Sequence, residues 1–139
     1  MDFHAMIEFP PEHTQMISQD EDFQPDQSVL LLDYLIEDNV QLTMSQMKWL
    51  RDRLKVLDTG AEVQHSWCEL VIQRRDLRWL KDVETFLKQH QAMGVYLYGE
   101  LMISENRRLQ ALARSVFNTV RPSMAEAQRL AVEEMLFPT

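Results

Sequence analysis

One cysteine, three glycines and five prolines are all that the 139 residues contain of these types. A lone cysteine excludes a disulfide framework and any zinc module built on several thiolates, and it fits a reducing compartment. Three scattered glycines cannot build a phosphate-cradling loop. Sandwiches and barrels need a turn every eight to twelve residues, which so little glycine and proline cannot supply, so an all-β fold is excluded. No apolar run approaches the roughly 20 residues of a membrane-spanning helix. The opening Met1-Asp2-Phe3-His4 has neither the basic nor the apolar region of a secretory signal. An intracellular protein is expected, with the cytoplasm as its setting.

Positive charge is missing from the first third of the chain. Residues 1–47 hold ten acids and no Lys or Arg, whereas residues 48–139 hold the other 12 acids and all 14 bases. A surface that tracks phosphates needs clustered bases without interleaved acids, so no nucleic-acid partner and no anionic membrane are expected. Pro10-Pro11, Pro25 and the acidic run Asp20-Glu21-Asp22 mark residues 1–27 as a flexible acidic leader. Phe3, Met6, Ile7, Phe9 and Phe23 within it are candidates to dock on the folded part.

What is present is helical periodicity from Ser28 onward, so residues 28–139 are expected to form a helical-repeat domain. Val29 to Ile36 is almost continuously apolar and should be buried on most sides. Thr43-Met44-Ser45-Gln46 reads as a capping box that opens a helix with Met47, Leu50, Leu54 and Leu57 on one stripe. Gly60 stands where a helix-stopping residue belongs. The next helix turns Val63, Trp67, Leu70 and Val71 inward. Asp76 caps a third, with Trp79, Leu80, Val83, Phe86 and Leu87 inside. Val95-Tyr96-Leu97-Tyr98 has the composition of a strand but nothing to pair with, so it reads as helix from about Ala92 to Ile103, loosened by Gly94 and Gly99. Ser104 opens a helix that Pro122 stops. Ser123-Met124-Ala125-Glu126 is a second capping box, leading into Ala127, Leu130, Ala131, Met135 and Leu136. The sum is about seven helices joined by short turns, and short turns make neighbours antiparallel. The expected fold is all-α, antiparallel pairs stacked as an armadillo/HEAT-like superhelix, with a closed irregular bundle as the alternative.

Candidate chemistry is sparse. A zinc peptidase helix needs H-E-x-x-H, so that two imidazoles share one face with a general-base Glu. None of His4, His13, His65 and His90 has that spacing. His65 and Glu69 stand four apart, but an exposed polar pair is the plainer reading. Cys68 lies three residues from His65 without an evident orienting group or oxyanion donors, so a small core residue outweighs a thiol nucleophile. Arg74, Arg75, Arg78 and Lys81 could bind an anion, although Asp76 and Asp82 interleave them as on a solvated face. No catalytic residue and no metal ligand is expected in this chain.

The stretch His65-Ser66-Trp67-Cys68-Glu69-Leu70-Val71-Ile72-Gln73, followed by Val83-Glu84-Thr85-Phe86-Leu87, resembles the C-terminal helical domain of the leukotriene A4 hydrolase family of gluzincin zinc aminopeptidases. The resemblance is strong over residues 62–103 and extends loosely from about Pro25 to Phe137. Within the family, the run Gln91-Ala92-Met93-Gly94-Val95-Tyr96-Leu97-Tyr98-Gly99-Glu100-Leu101 looks most like an aminopeptidase branch. The resemblance implies a parent whose zinc sits on a separate catalytic domain. The H-E-x-x-H-x18-E zinc site and G-x-M-E-N loop of that domain are not among these residues. It also implies partners: that catalytic domain in cis, and the parent's peptide substrate. A basic pair, R-x-K, receives the substrate carboxylate in the hydrolase. The matching positions here are Met93 and Val95, which cannot bind a carboxylate. Gln91, Tyr96 and Tyr98 are then the candidates for substrate contact, as neutral hydrogen-bonding or apolar walls.

Two readings follow. In one, the chain is a non-catalytic domain that packs on a zinc-peptidase body and shapes its cleft. In the other, it is a free-standing helical-repeat interaction module whose acidic leader screens a concave face or attracts a basic partner.

Overall fold

In the computed structural model, residues 23–138 are described; residues 1–22 of the expected leader, with Phe3, Met6, Ile7 and Phe9, lie outside them. Among the described residues seven α-helices follow one another: α1 (Pro25–Glu37), α2 (Met44–Arg53), α3 (Ala61–Arg74), α4 (Leu80–Gln89), α5 (Gln91–Ile103), α6 (Arg107–Val120) and α7 (Glu126–Leu136). Short 3-10 turns occupy Val56–Asp58, Leu77–Trp79 and Arg121–Ser123, and no strand occurs among the described residues. The all-α expectation therefore holds. The chain divides into two compact units, the second beginning at Cys68 within α3.

In the first unit, α1 starts at Pro25, three residues before the expected Ser28. Proline is pre-set for a first helical position, and Gln27 accepts a hydrogen bond from the Gln24 N–H at 2.9 Å. Leu31, Leu32 and Leu35 are fully buried, but Leu30 is 63% exposed, so α1 is buried on one side and not around most of its circumference. Phe23 lies beneath the Arg53 guanidinium, 5.1 Å from its ring centre. The Thr43 box forms reciprocally: the Gln46 N–H donates to Thr43 Oγ1 (3.1 Å) and the Thr43 N–H to Gln46 Oε1 (2.8 Å). Met47, Leu50 and Leu54 are buried as the stripe requires, but Leu57 is exposed. The physical reason is an earlier stop. Lys55 adopts the left-handed conformation (φ 52°), breaks the stripe, and lets Val56 take the inward position. Gly60 thus does not end a helix. It precedes α3, and its carbonyl accepts from the Gln64 N–H. Gln64 Nε2 also bonds the carbonyls of Val56 and Thr59, and the Ser66 hydroxyl bonds Asp33 (3.3 Å).

The second unit is built on α4 to α7. Helices α4 and α5, α5 and α6, and α6 and α7 pack as sequential neighbours, while α4 also packs on α6 and α5 on α7. Contacts between every second helix are those of two hairpins laid side by side. The core comprises Leu70, Val71, Val83, Phe86, Leu87, Leu97, Tyr98, Leu101, Leu109, Ala113, Val116, Phe117, Val132 and Leu136. Each such side chain contributes on the order of 1.5–3 kcal/mol of transfer free energy.

Three helix ends differ from expectation. Asp76 accepts from the Arg78 N–H and so caps the short turn Leu77–Trp79, not α4, which starts behind Trp79 without a side-chain cap. Helix α6 begins at Arg107 behind Asn106, whose side chain accepts from the N–H groups of Arg108 and Leu109. Ser104 instead closes α5, its hydroxyl donating to the Leu101 carbonyl. The Ser123 box does not form: α7 starts behind Ala125 without a side-chain cap, and the Ser123 hydroxyl donates to Val120 O. Of the residues expected inward on α7, Leu136 is buried with Val132, whereas Ala127, Leu130 and Met135 are exposed. The C-terminal ends of α1, α2, α3 and α5 are followed by left-handed residues that are not glycine: Asn39, Lys55, Arg75 and Glu105.

Candidate functional site

Helix α5 carries the three candidate contact residues, and the structure does not bring them onto one face. Gln91, at the first turn, is half-buried, and its side-chain amide donates to the Ser123 hydroxyl at 2.9 Å. Tyr96 is 55% exposed. Its hydroxyl bonds the Glu100 carboxylate one turn on; that bond, partial burial, and the charges of Glu100 and Glu69 all push the phenol up. Tyr98, two residues further, points the opposite way. It is 1% exposed, and its ring meets Phe117 edge-on at 6.2 Å. The Tyr98 hydroxyl is buried without a hydrogen-bond partner, and burial pushes it up to about 12.

Close packing holds this helix in place. A Cβ on Gly94 would stand 2.9 Å from Leu87 Cδ2, and one on Gly99 would stand 3.5 Å from Met135 Sδ. Gly94 therefore lets α4 approach α5, whereas Gly99 has room for a Cβ beside Met135 of α7. Neither of the two glycines breaks the helix: α5 runs unbroken through both. The strand-like composition of Val95 to Tyr98 is overridden by this packing on both sides. Met93 is partly exposed and Val95 half-buried, so these two positions present a thioether and an isopropyl group.

Other candidates resolve into structure. Cys68 is 1% exposed, its Sγ is 3.8 Å from the Asp82 carbonyl, and burial, then the charges of Asp82 and Glu69, push the thiol far up. A neutral, enclosed thiol is not a nucleophile. Arg78 forks onto Asp76 (2.8 and 2.9 Å), and Arg75 Nε donates to the Ser104 carbonyl at 2.6 Å. Burial alone would raise the Asp76 carboxyl, but the bonds from the Arg78 side chain and backbone outweigh it and hold the group below its ordinary value. Lys81 and Lys88 pair with Glu84. The basic cluster therefore serves turn and helix geometry. Among the described residues, no group of three or more His, Cys, Asp or Glu side chains is placed to hold a metal ion. No described helix is long and apolar enough to cross a membrane.

Residues 23–136 match the family model "Leukotriene A4 hydrolase, C-terminal". Aminopeptidase O of Homo sapiens is 45% identical over 113 residues, which is 81% of this chain and 14% of the relative. Aminopeptidase O of Mus musculus is 45% identical over 117 residues, 84% of the chain and 14% of the relative, and that of Rattus norvegicus is 44% identical over the same length. The chain thus spans about one seventh of the length of these relatives. No solved structure matches it. With the helices, their packing and the match over nearly all described residues in hand, the chain belongs to the leukotriene A4 hydrolase C-terminal domain family.

Proposed function

We propose that this chain acts as the non-catalytic C-terminal helical domain of an aminopeptidase O-like zinc metallopeptidase, packing on a catalytic domain in cis and shaping the cleft that admits peptide substrates. The observation that carries the reading is the family match over residues 23–136 together with relatives of which the matched part is only 14%. Zinc belongs to the partner domain, where it would polarise the scissile carbonyl and activate water. In this domain the hairpins stack in an armadillo-like manner behind an acidic leader, in a cytoplasmic setting that keeps Cys68 reduced.

The cleft-facing role falls to α5. Tyr96 offers an exposed phenol braced by Glu100, and Gln91 a neutral amide braced by Ser123. Tyr98 supports that wall from the core side. With Met93 and Val95 in place of a basic pair, this wall selects no free carboxylate, so peptides are bounded by shape and not by a C-terminal charge.

The test has two parts. The purified chain, supplied with zinc, is expected to release no amino acid from aminoacyl-arylamides; turnover that survives repurification overturns the reading. Joined to the catalytic portion of an aminopeptidase O relative, the chain is expected to restore peptide hydrolysis. There, Tyr96→Ala should raise KM several-fold with little change in melting temperature, and an unchanged KM removes Tyr96 from the cleft.

A further inference from the structure

Three arginines of the second unit lie at heptad spacing along one edge of α6 and its continuation: Arg107, Arg114 and Arg121. Seven residues are two helical turns, so successive members stand roughly 10 Å apart on nearly the same side. All three are exposed. Most other bases of this unit are committed: Arg78 to Asp76, Lys81 and Lys88 to Glu84, Arg129 to Glu133. Arg107 and Arg114 make no ion pair among the described residues. Arg121 closes the row, bonding Glu133 at 2.9 Å on the rim of an open notch of about 500 Å³ that Leu130, Glu134 and Phe137 also line. Leu130 and Phe137 are 50% and 52% exposed there.

The geometry points to this edge as a docking surface for an acidic amphipathic helix of another protein, its carboxylates meeting Arg107 and Arg114 and one apolar side chain filling the notch between Leu130 and Phe137. Discrete guanidiniums two turns apart match carboxylates repeated at the same period on a partner helix. Leu130 and Phe137, the two apolar walls of an otherwise charged notch, supply the anchor that charge alone lacks. A polyphosphate or an anionic membrane fits worse, because Glu133 and Glu134 stand in the notch and would repel a continuous line of phosphates. The surface is independent of the α5 wall, so it holds whether or not the cleft role does.

The probe is a fluorescein-labelled helical peptide of about six turns with glutamates at heptad spacing and one leucine beyond them, titrated with the full chain by anisotropy. Binding is expected that weakens about tenfold in Arg107→Glu/Arg114→Glu, and comparably in Leu130→Ala/Phe137→Ala or when the peptide leucine becomes glycine. A peptide carrying lysine for glutamate should bind the charge-reversed chain and not the wild type. Should charge reversal impair folding, Arg107→Gln/Arg114→Gln gives the same comparison. The proposal is overturned by absence of binding at millimolar chain, by equal binding to the variants, or by loss through charge alone with the notch variants silent. It is also overturned if a single-stranded oligonucleotide or phosphatidylserine vesicles bind more tightly than the peptide, or if the chain self-associates through this edge.

Discussion

Gly94 sits against Leu87 so closely that the absence of one carbon sets the distance between α4 and α5. A Cβ at that position would meet Leu87 Cδ2 at 2.9 Å, and Leu87 is wholly buried with nowhere to retreat. Gly94→Ala should therefore destabilise by about 1 kcal/mol net, since overpacking outweighs the gain in helix propensity. Gly99→Ala should do the reverse. Its Cβ would find Met135 Sδ at an ordinary 3.5 Å, and Met135 is flexible and 37% exposed, so about 0.5–1 kcal/mol of propensity is gained. Urea denaturation of the two variants checks the sign of each; equal shifts refute the packing account.

The Tyr98 hydroxyl is enclosed without a partner. Removing such a group sheds a desolvation cost while keeping the ring against Phe117. Tyr98→Phe should be neutral or stabilising by up to about 1 kcal/mol, whereas Tyr98→Ala should cost about 3–5 kcal/mol. Thermal unfolding distinguishes these; a large loss in Tyr98→Phe would mean that the hydroxyl is hydrogen-bonded in solution.

Asp76 titrates below its ordinary value in the folded chain because its bonds to Arg78 outweigh its burial. A depressed carboxyl contributes stability above its unfolded pKa and loses it as pH falls through the folded one. Asp76→Ala should cost about 1 kcal/mol at neutral pH, including the lost cap, and the gap to wild type should narrow as pH drops below about 4. Stability measured at both ends of that window tests it; a gap independent of pH would leave only the cap.

Cys68 should resist thiol reagents in the native chain and react only at the rate of unfolding, since burial keeps it protonated and out of reach. Rapid stoichiometric labelling at neutral pH, with the helical circular dichroism intact, contradicts the enclosed position.

Much of the fold was legible because apolar residues recur at helical spacing: Met47, Leu50 and Leu54, or Val83, Phe86 and Leu87, reveal their inward faces directly. Helix ends were less legible. Ser104 and Ser123 have the right chemistry for caps, yet both hydroxyls turn to nearby carbonyls, a competition that short polar side chains often enter. Lys55 stops α2 five residues ahead of Gly60, the residue whose chemistry suits a helix end. The candidate site was legible only in part. Spacing of two residues along a helix places Tyr96 and Tyr98 far apart around its axis, but which one faces outward depends on Phe117, twenty-one positions from Tyr96. The row of Arg107, Arg114 and Arg121 was visible as a period. That two of its members make no ion pair among the described residues emerged only when the acids around them were in place.

Glu105, at φ 60°, holds a backbone shape in which any Cβ is crowded, and it does so on the surface. About 1 kcal/mol is forfeited there relative to glycine. The natural chain therefore stands short of its attainable thermal tolerance, and an engineer wanting a hardier version could begin at this linker with Glu105→Gly, leaving core and candidate surfaces untouched.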